Sequence, residues 1–165
     1  MSHATWTPAY VAIGANIDDP LVRVANSFAN LACIDRTRVI SRSRLYRTTP
    51  LGPQDQPDFV NAAAGLLTQL SATELLAELK QLEQELGRDT PIVRWGPRRI
   101  DFDLIVFGAE RIITEHLQVP HPGVSTRNFV LYPLRDVAPA LFVPGLGRVE
   151  ELAQRVSTDG LSALS

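Results

Sequence analysis

The alternation of apolar and polar residues predicts a β-α-β-β-α-β order of elements over the first 107 residues. A short apolar strand at 10–13 ends in a Gly-Ala-Asn turn at 14–16. Asp19 as an N-cap, with Pro20 at the first helical position, predicts a helix that continues to about Ala32. The expected buried face of this helix consists of Leu21, Val24, Ala25, Phe28 and Leu31.

Residues 36–46 alternate in polarity and predict a strand that carries several arginines on one face. These arginines are Arg36, Arg38, Arg42 and Arg44. A solvated strand face explains them, and a phosphate-binding patch is the alternative. A proline-containing loop at 48–58 is expected to be rigid, and residues 59–67 predict the next strand.

The second helix is predicted from a capping box at 71–74, Ser-Ala-Thr-Glu, followed by leucines at helical spacing. The leucines are Leu75, Leu79, Leu82 and Leu86. Gly87 is expected to end the helix. Beyond residue 107, the sequence predicts a short strand at 111–114 and one or two short helices.

The segment 94–107 contains the most chemically informative residues. Gly96 and Pro97 keep its beginning from being helical, and its end is an apolar strand. Asp101 and Asp103 share one face of that strand, roughly 6.7 Å apart. Two carboxylates so placed can hold one or two magnesium ions against a phosphate chain, and the upstream arginines can bind phosphate oxygens. The alternative is an edge strand with a solvated acidic face.

Composition narrows the class of protein. With 165 residues, 45% hydrophobic and 21% charged, the chain is expected to form one domain over residues 1–165. A net charge of -2 predicts no nucleic-acid and no membrane partner. Cys33 is the only cysteine and is expected to be buried. No signal-like or membrane-spanning apolar run occurs, so we expect a cytoplasmic protein. A monomer is also expected.

Four motifs together resemble the 6-hydroxymethyl-7,8-dihydropterin pyrophosphokinase family. They are Gly-Ala-Asn at 14–16, the proline-containing loop and strand start at 48–62, Arg-Trp-Gly-Pro-Arg-Arg-Ile-Asp-Phe-Asp at 94–103, and Val-Pro-His-Pro at 119–122 with Arg127, Asn128 and Phe129. They occur in the family's order and spacing across nearly the whole chain. Each alone is a short motif, but the set of four is specific.

The resemblance implies transfer of the pyrophosphoryl group of ATP to 6-hydroxymethyl-7,8-dihydropterin. The products are AMP and the pterin diphosphate, on the route to folate. It implies two Mg²⁺ ions as cofactors and ATP as co-substrate. It also implies an α+β, ferredoxin-like βαββαβ fold with an antiparallel sheet and helices packed on it. Long mobile active-site loops and a short C-terminal extension complete that expectation.

The same resemblance implies roles for individual residues. Asp101 and Asp103 are expected to bind the metals, and with Arg88 and Arg98 they form the expected catalytic set. The residues expected to bind ATP are Glu83, Trp95, Arg98, Leu104, His121 and Arg127. Those expected to bind the pterin are Thr48, Thr49, Leu51, Phe59, Asn61 and Phe129, with the two phenylalanine rings stacked on either side of the bicycle.

Four of these residues also have a structural explanation. Phe59 and Phe129 could be core residues, Asn61 a buried amide with satisfied hydrogen bonds, and His121 an ordinary loop histidine. Two other classes of protein are compatible with parts of the pattern. One is a two-metal nuclease or nucleotidyltransferase, which needs a third carboxylate and a basic groove. The other is a non-catalytic ferredoxin-like binding module.

Three positions depart from the family's usual residues. Thr90 and His116 stand where arginine is common, and Phe59 replaces a frequent tyrosine. The first two bear on nucleotide affinity. The third keeps an aromatic ring and loses a hydroxyl group.

Overall fold

The structure, a computed structural model, describes residues 5–50, 55–87 and 96–164. Its strands are β1 (Thr7–Ala15), β2 (Thr37–Arg42), β3 (Tyr46–Thr48), β4 (Phe59–Thr68), β5 (Asp101–Phe107), β6 (Ile112–Ile113), β7 (Gln118–Val119), β8 (Phe142–Val143), β9 (Gly147–Arg148) and β10 (Leu161–Ala163). Its helices are α1 (Pro20–Ala32), α2 (Ala72–Gly87), α3 (Asn128–Val137) and α4 (Val149–Gln154).

In the part of the chain that the structure describes, six strands form one antiparallel sheet. Its order is β10-β3-β4-β1-β5, and β2 also pairs with β4. β2 pairs with residues 64–68 of β4, whereas β3 pairs with residues 59–61. Taken together, β2 and β3 fill one strand position, so the elements follow the order β-α-β-β-α-β. The predicted ferredoxin-like α+β fold is confirmed.

Two apolar clusters pack against opposite faces of this sheet. The first joins α1 and α2 to alternate residues of the central strands, including Ile13, Leu66 and Phe102. The second packs α3 and α4 around Ile105 and Leu131. Because side chains alternate along a strand, neighbouring residues of β5 such as Leu104 and Ile105 belong to different clusters. Ile105 and Val106 both belong to the second cluster, at the point where the register between β1 and β5 shifts.

The start of α1 differs from the expectation in its cap. The helix begins at Pro20 and ends at Ala32, as predicted. Asp19, however, has a left-handed backbone (φ 60°, ψ 60°), and its side chain makes no capping hydrogen bond, so the predicted side-chain N-cap is wrong. Its carbonyl accepts the N–H of Arg23 at 3.0 Å and begins the helical hydrogen bonding instead.

The buried face of α1 is also narrower than predicted. Its buried residues are Val24, Ser27, Phe28 and Leu31. Leu21 and Ala25 are exposed, because Leu21 lies in the first turn and Ala25 is one residue further round the helix. Cys33 is exposed as well, and the inward position after the helix is taken by Ile34. The prediction that Cys33 is buried is therefore wrong.

The strand predicted over 36–46 is interrupted after Arg42. Ser43 donates its N–H to the carbonyl of Ala63 at 2.9 Å, and Ala63 donates its N–H to Ser43 Oγ at 2.8 Å. A side-chain hydroxyl thus takes the place of a backbone acceptor, and the ladder resumes in β3 at Tyr46. The arginines of this stretch are all exposed, as a solvated face requires: Arg36, Arg38, Arg42 and Arg44.

The predicted capping box of α2 is present. Glu74 donates its N–H to Ser71 Oγ at 3.1 Å, and Ser71 donates its N–H to Glu74 Oε1 at 2.9 Å. The leucines of the predicted inward face are buried or packed on the first cluster: Leu75, Leu79, Leu82 and Leu86. The capping signal therefore placed the start of this helix correctly.

The C-terminal region contains two short helices, α3 and α4, where the sequence predicts one or two. It also contains three strands that the sequence does not predict: β8 and β9 pair with each other, and β10 joins the main sheet beside β3. The predicted strand at 111–114 is reduced to β6, which pairs with β7. Residues 51–54 of the loop expected to be rigid, and residues 88–95 of the loop expected to be mobile, lie outside the described residues. Among the described helices, none has the length and apolarity that crossing a membrane requires.

Candidate active site

A cavity of about 440 Å³ lies on the sheet face opposite α1 and α2, between the ends of the central strands and the start of α3. It is lined by Ala12, Ile13, Gly14, Thr48, Thr49, Phe59, Asn61, Gly96, Arg98, Asp101, Asp103, Ile105, His121, Pro122, Arg127, Phe129 and Val130. One end of this lining is charged and the other is neutral and aromatic.

The charged end is built on β5. Asp101 and Asp103 both line the cavity, because residues two apart on a strand point to the same side. In the ladder they lie opposite Gly14 and Ala12 of β1, two residues with little or no side chain. The small residues leave open space over the acidic pair, so a ligand can approach both carboxylates.

Electrostatic repulsion characterises this acidic pair. Burial, and then the neighbouring Asp101 carboxylate, raise the pKa of Asp103 to about 7. Burial, and then Asp101, likewise raise the pKa of Glu83 on α2 to about 8. Because nearby like charges disfavour ionisation, a bound cation would relieve this repulsion.

Glu83 and Lys80 reach the acidic pair from the outer edge of β5. Glu83 Oε2 accepts the N–H of Phe102, the residue between the two aspartates, at 2.6 Å. Lys80 Nζ lies 3.3 Å from Glu83 Oε1. Burial alone would lower the pKa of Lys80, but the carboxylates of Glu83, Asp101 and Asp103 outweigh it and raise that pKa. The single lysine of the chain thus neutralises part of the acidic charge.

His121 and Arg127 also line the charged end of the cavity, beside β5. The backbone N–H of His121 donates to the carbonyl of Ile105 at 2.9 Å, which ties this loop to the strand. His121 Nδ1 accepts the N–H of Gly123 at 3.0 Å, so the neutral ring carries its hydrogen on Nε2. Burial, and then Arg127, lower the pKa of His121. A neutral imidazole donor and a guanidinium therefore line the same wall.

Asn16 connects the segments at the two ends of the cavity. It is 1% exposed, and its Oδ1 accepts the N–H of Arg98 at 2.8 Å. Its Nδ2 donates to Gln56 Oε1 and to the carbonyl of Pro57, both at 2.9 Å. Its own N–H donates to the carbonyl of Arg98 at 2.9 Å. One buried amide therefore holds the loop before β4 against the loop before β5.

The neutral end is formed by two phenylalanines and a buried amide. Phe59 at the start of β4 and Phe129 at the start of α3 both line the cavity. Asn61 Nδ2 donates to Thr48 Oγ1 at 2.6 Å. The neighbouring strand supplies Gly14, where a Cβ atom would come within 2.8 Å of Asn61 Oδ1. This end therefore offers aromatic rings and an amide oriented by its own hydrogen bond.

The model of the 7,8-dihydro-6-hydroxymethylpterin-pyrophosphokinase (HPPK) family matches residues 10–139, which include every cavity residue named above. The chain belongs to this family. It is 39% identical to 2-amino-4-hydroxy-6-hydroxymethyldihydropteridine pyrophosphokinase of Pseudomonas aeruginosa over 94% of this chain and 95% of that protein. The corresponding enzyme of Haemophilus influenzae is 38% identical over 89% and 91%.

Solved structures agree on the fold. The HPPK-DHPS protein of Plasmodium falciparum, in a crystal structure with pteroate, superimposes with a TM-score of 0.72 at 13% identity. The match covers 94% of this chain and 43% of that chain, so this chain spans less than half the length of the solved protein. At this level of identity the comparison supports the HPPK fold alone.

Most sequence-predicted HPPK site residues meet in the cavity. Those that line it are Thr48, Thr49, Phe59, Asn61, Arg98, Asp101, Asp103, His121, Arg127 and Phe129. Glu83 lies at the edge of β5 behind the aspartates and does not line the cavity. Leu104 is 3% exposed in the first apolar cluster, because strand alternation turns it away from Asp103. Leu51, Arg88 and Trp95 lie outside the described residues.

Three residues contribute to the geometry around this cavity in ways that the sequence does not predict. The sequence predicts Asn16 only as part of a turn, and its burial between two loops has no local signal. Gly14 is needed for its small size, which becomes evident only when β1 is paired with β4. Lys80 could have been suspected as the only lysine in an arginine-rich chain, but its approach to β5 depends on helix packing.

Proposed function

We propose that this chain transfers the pyrophosphoryl group of ATP to 6-hydroxymethyl-7,8-dihydropterin, giving AMP and the pterin diphosphate, a step of folate biosynthesis. The observation that carries the proposal is one cavity with an acidic and cationic end joined to a neutral aromatic end. Such a cavity suits a phosphate donor and a flat heteroaromatic acceptor. Membership of the HPPK family supports this function over a nuclease and over a binding module.

The neutral end would bind the pterin. Phe59 and Phe129 can stack on the faces of a flat bicycle, where ring contacts add to the burial of apolar area. Asn61 can pair with the pterin's amide edge through its carbonyl and its second amide hydrogen, because its first hydrogen is donated to Thr48. Thr48 and Thr49, with Leu51, would complete the recognition through their backbone groups.

Asp101 and Asp103 would hold the magnesium ions. The fit rests on their chemistry, since hard carboxylate oxygens line the cavity and repel one another there. Among the described residues, no group of three or more His, Cys, Asp and Glu side chains is arranged for a metal, so phosphate and water would supply the remaining ligands. Bound magnesium would orient the triphosphate and offset charge at the attacked phosphorus.

The cationic and imidazole groups would position the triphosphate. Arg98 and Arg127 provide planar guanidinium donors that match phosphate oxygens. His121 would donate a hydrogen bond from Nε2, because Gly123 occupies its Nδ1. Glu83 would act on the strand that carries the aspartates, through the N–H of Phe102. Each group binds or orients, which is the main demand of phosphoryl-type transfer.

Several predicted roles rest on the sequence alone. We propose Arg88 as a second phosphate-binding catalytic residue, and Trp95 and Leu104 as nucleotide contacts, the last through its backbone because its side chain is in the core. We also propose a single domain over residues 1–165, which the incorporation of the C-terminal β10 in the main sheet supports. Cytoplasmic location and a monomeric state stay predictions from the sequence.

Product identity tests the proposed function. The protein is incubated with ATP, magnesium and 6-hydroxymethyl-7,8-dihydropterin, and nucleotide products are separated by ion-exchange chromatography. We expect one AMP for each pterin consumed, because attack at the β-phosphorus releases AMP. ADP as the stoichiometric product would contradict the assignment. Omitting the pterin is the control for simple ATP hydrolysis.

A further inference from the structure

The C-terminal residues 157–164 touch both sides of the neutral end of the cavity, although they follow the 10–139 region that the family model matches. We propose that this segment, here called the C-terminal strap, positions the pterin-binding groups, and that Asn128 is the positioning residue that fastens it. The inference rests on the proposed function, since it assigns the strap to pterin recognition. None of these residues lines the cavity itself.

On one side, the strap holds the end of β3. Leu161 of β10 pairs with Thr48, and Thr49 donates its N–H to the carbonyl of Gly160 at 3.1 Å. Beyond β10, Leu164 donates its N–H to the carbonyl of Leu45 at 2.8 Å. β3 has three residues and would be an edge strand without the strap. Such a short edge strand has few hydrogen bonds to hold it in register.

On the other side, the strap is fastened to the start of α3. Asn128 Nδ2 donates both of its hydrogens, to the carbonyls of Ser157 at 2.8 Å and of Asp159 at 3.0 Å. Asn128 lies between two cavity residues, Arg127 and Phe129. A side chain that is not in the cavity therefore links the Phe129 wall to the strap.

Together, these contacts form a continuous chain of hydrogen bonds around the neutral end. Thr48 is hydrogen bonded to Asn61, and the strap joins Thr48 and Thr49 to the segment that carries Phe129. A pterin bound between the Phe59 and Phe129 rings needs the ring spacing and the Asn61 amide to be set together. Fixing that geometry before binding removes an ordering cost from pterin binding, so we expect the effect of the strap to fall mainly on the pterin.

The first test replaces Asn128 by aspartate, which keeps its shape and removes both donors. We expect the pterin KM of Asn128→Asp to rise about tenfold, with the ATP KM within about twofold of wild type, because a positioning loss falls on one substrate. Asn128→Ala should show the same split. Asn26→Ala, at an exposed position of α1, is the matched control and should leave both constants unchanged. Circular dichroism checks that each variant is folded.

A second variant pushes the strap away from β3 without touching Asn128. Gly160 has φ +73°, and an added Cβ would come within 2.4 Å of Thr49 Oγ1. Gly147→Ala is the control, because Gly147 also has a positive φ (+127°) but an added Cβ would meet nothing within 4 Å. We expect Gly160→Ala to raise the pterin KM about tenfold and Gly147→Ala to leave it unchanged.

The outcomes separate this inference from the proposed function. An active wild-type protein whose pterin KM is unchanged in Asn128→Asp and Gly160→Ala overturns the strap alone. Equal rises in the pterin and ATP KM would also overturn it, because they indicate a general structural role. A wild-type protein that forms no AMP with the pterin overturns the proposed function and this inference together.

Discussion

The two ends of the cavity differ in the interactions that their side chains make with one another before any ligand binds. At the neutral end, Asn61 is hydrogen bonded to Thr48, and the remaining groups are two uncharged rings. At the charged end, Asp101 and Asp103 repel one another, and the pKa of Asp103 is raised as a result of burial and that repulsion. The neutral end therefore has an amide oriented by one hydrogen bond and no like charges, whereas the charged end has unfavourable interactions that a cation would relieve.

The difference indicates how each end would contribute to the reaction. A neutral site whose amide is oriented by its own hydrogen bond can be rigid before the substrate arrives, which favours affinity and selectivity. A site of like charges costs folding free energy, and it recovers that energy when metal and phosphate bind. We therefore expect mutations at the charged end to change turnover and stability in opposite directions, and mutations at the neutral end to change pterin affinity.

The largest effect is expected at the acidic pair. Asp101→Asn and Asp103→Asn should each lower kcat by about 10²-fold or more, by analogy with loss of one electrostatic stabiliser. The free energy of unfolding in urea, measured without metal, should be unchanged or higher, because repulsion is removed. Asp35→Asn, at an exposed position beside Arg36, is the control. Near-normal turnover of either variant would count against metal binding by that aspartate.

A smaller, more selective effect is expected at Asn61. Asn61→Ala should weaken pterin binding about tenfold or more and leave ATP binding within about twofold, because an unpaired polar edge is left buried. Calorimetric titration of each ligand measures both affinities. Equal losses for the two ligands would indicate that Asn61 supports the fold through Thr48 instead.

Asn16 joins the loops at the two ends of the cavity, so its replacement should affect the binding of both substrates and not of one alone. Asn16→Ala leaves the Arg98 N–H and the Pro57 carbonyl without their buried partner. We expect the KM for both substrates to rise by about threefold to tenfold and the unfolding free energy to fall by about 1–3 kcal/mol. Steady-state kinetics and urea unfolding measure these changes. A rise in KM for one substrate alone would show that Asn16 positions only one of the two loops.

The smallest effect is a pH dependence of stability at the charged end. The folded-state pKa values of Asp103 and Glu83, about 7 and about 8, exceed ordinary values near 4. The folded protein therefore binds more protons than the unfolded chain between about pH 4 and pH 8, so stability without metal should fall as pH rises through that window. Thermal melts in EDTA measure this fall, and Asp103→Asn should reduce it. Stability that rises over the window would contradict the raised pKa values.

Local signals predicted much of the fold. The capping box at Ser71 and Glu74, Pro20 at the start of α1, and the apolar run of β5 all coincide with the observed elements. Each acts through neighbours within a few residues. Two predictions that failed, Leu21 as a buried residue and Cys33 as a buried hydrophobe, depend on what packs next to α1. The prediction of Asp19 as a side-chain cap failed for a local reason: Asp19 has a left-handed backbone, and its carbonyl begins the helical hydrogen bonding instead.

The sequence by itself determined the order of elements, the shared face of Asp101 and Asp103, and membership of the family, because these follow from local periodicity and from motifs. Tertiary structure alone decided that Asn16 bridges two loops, that Lys80 and Glu83 reach β5 from the side, and that the C-terminal strap joins β3 and α3. The three features share one physical reason. Each depends on hydrogen bonds or charges between residues far apart in sequence, and the distances between those residues are set only when the helices and strands pack.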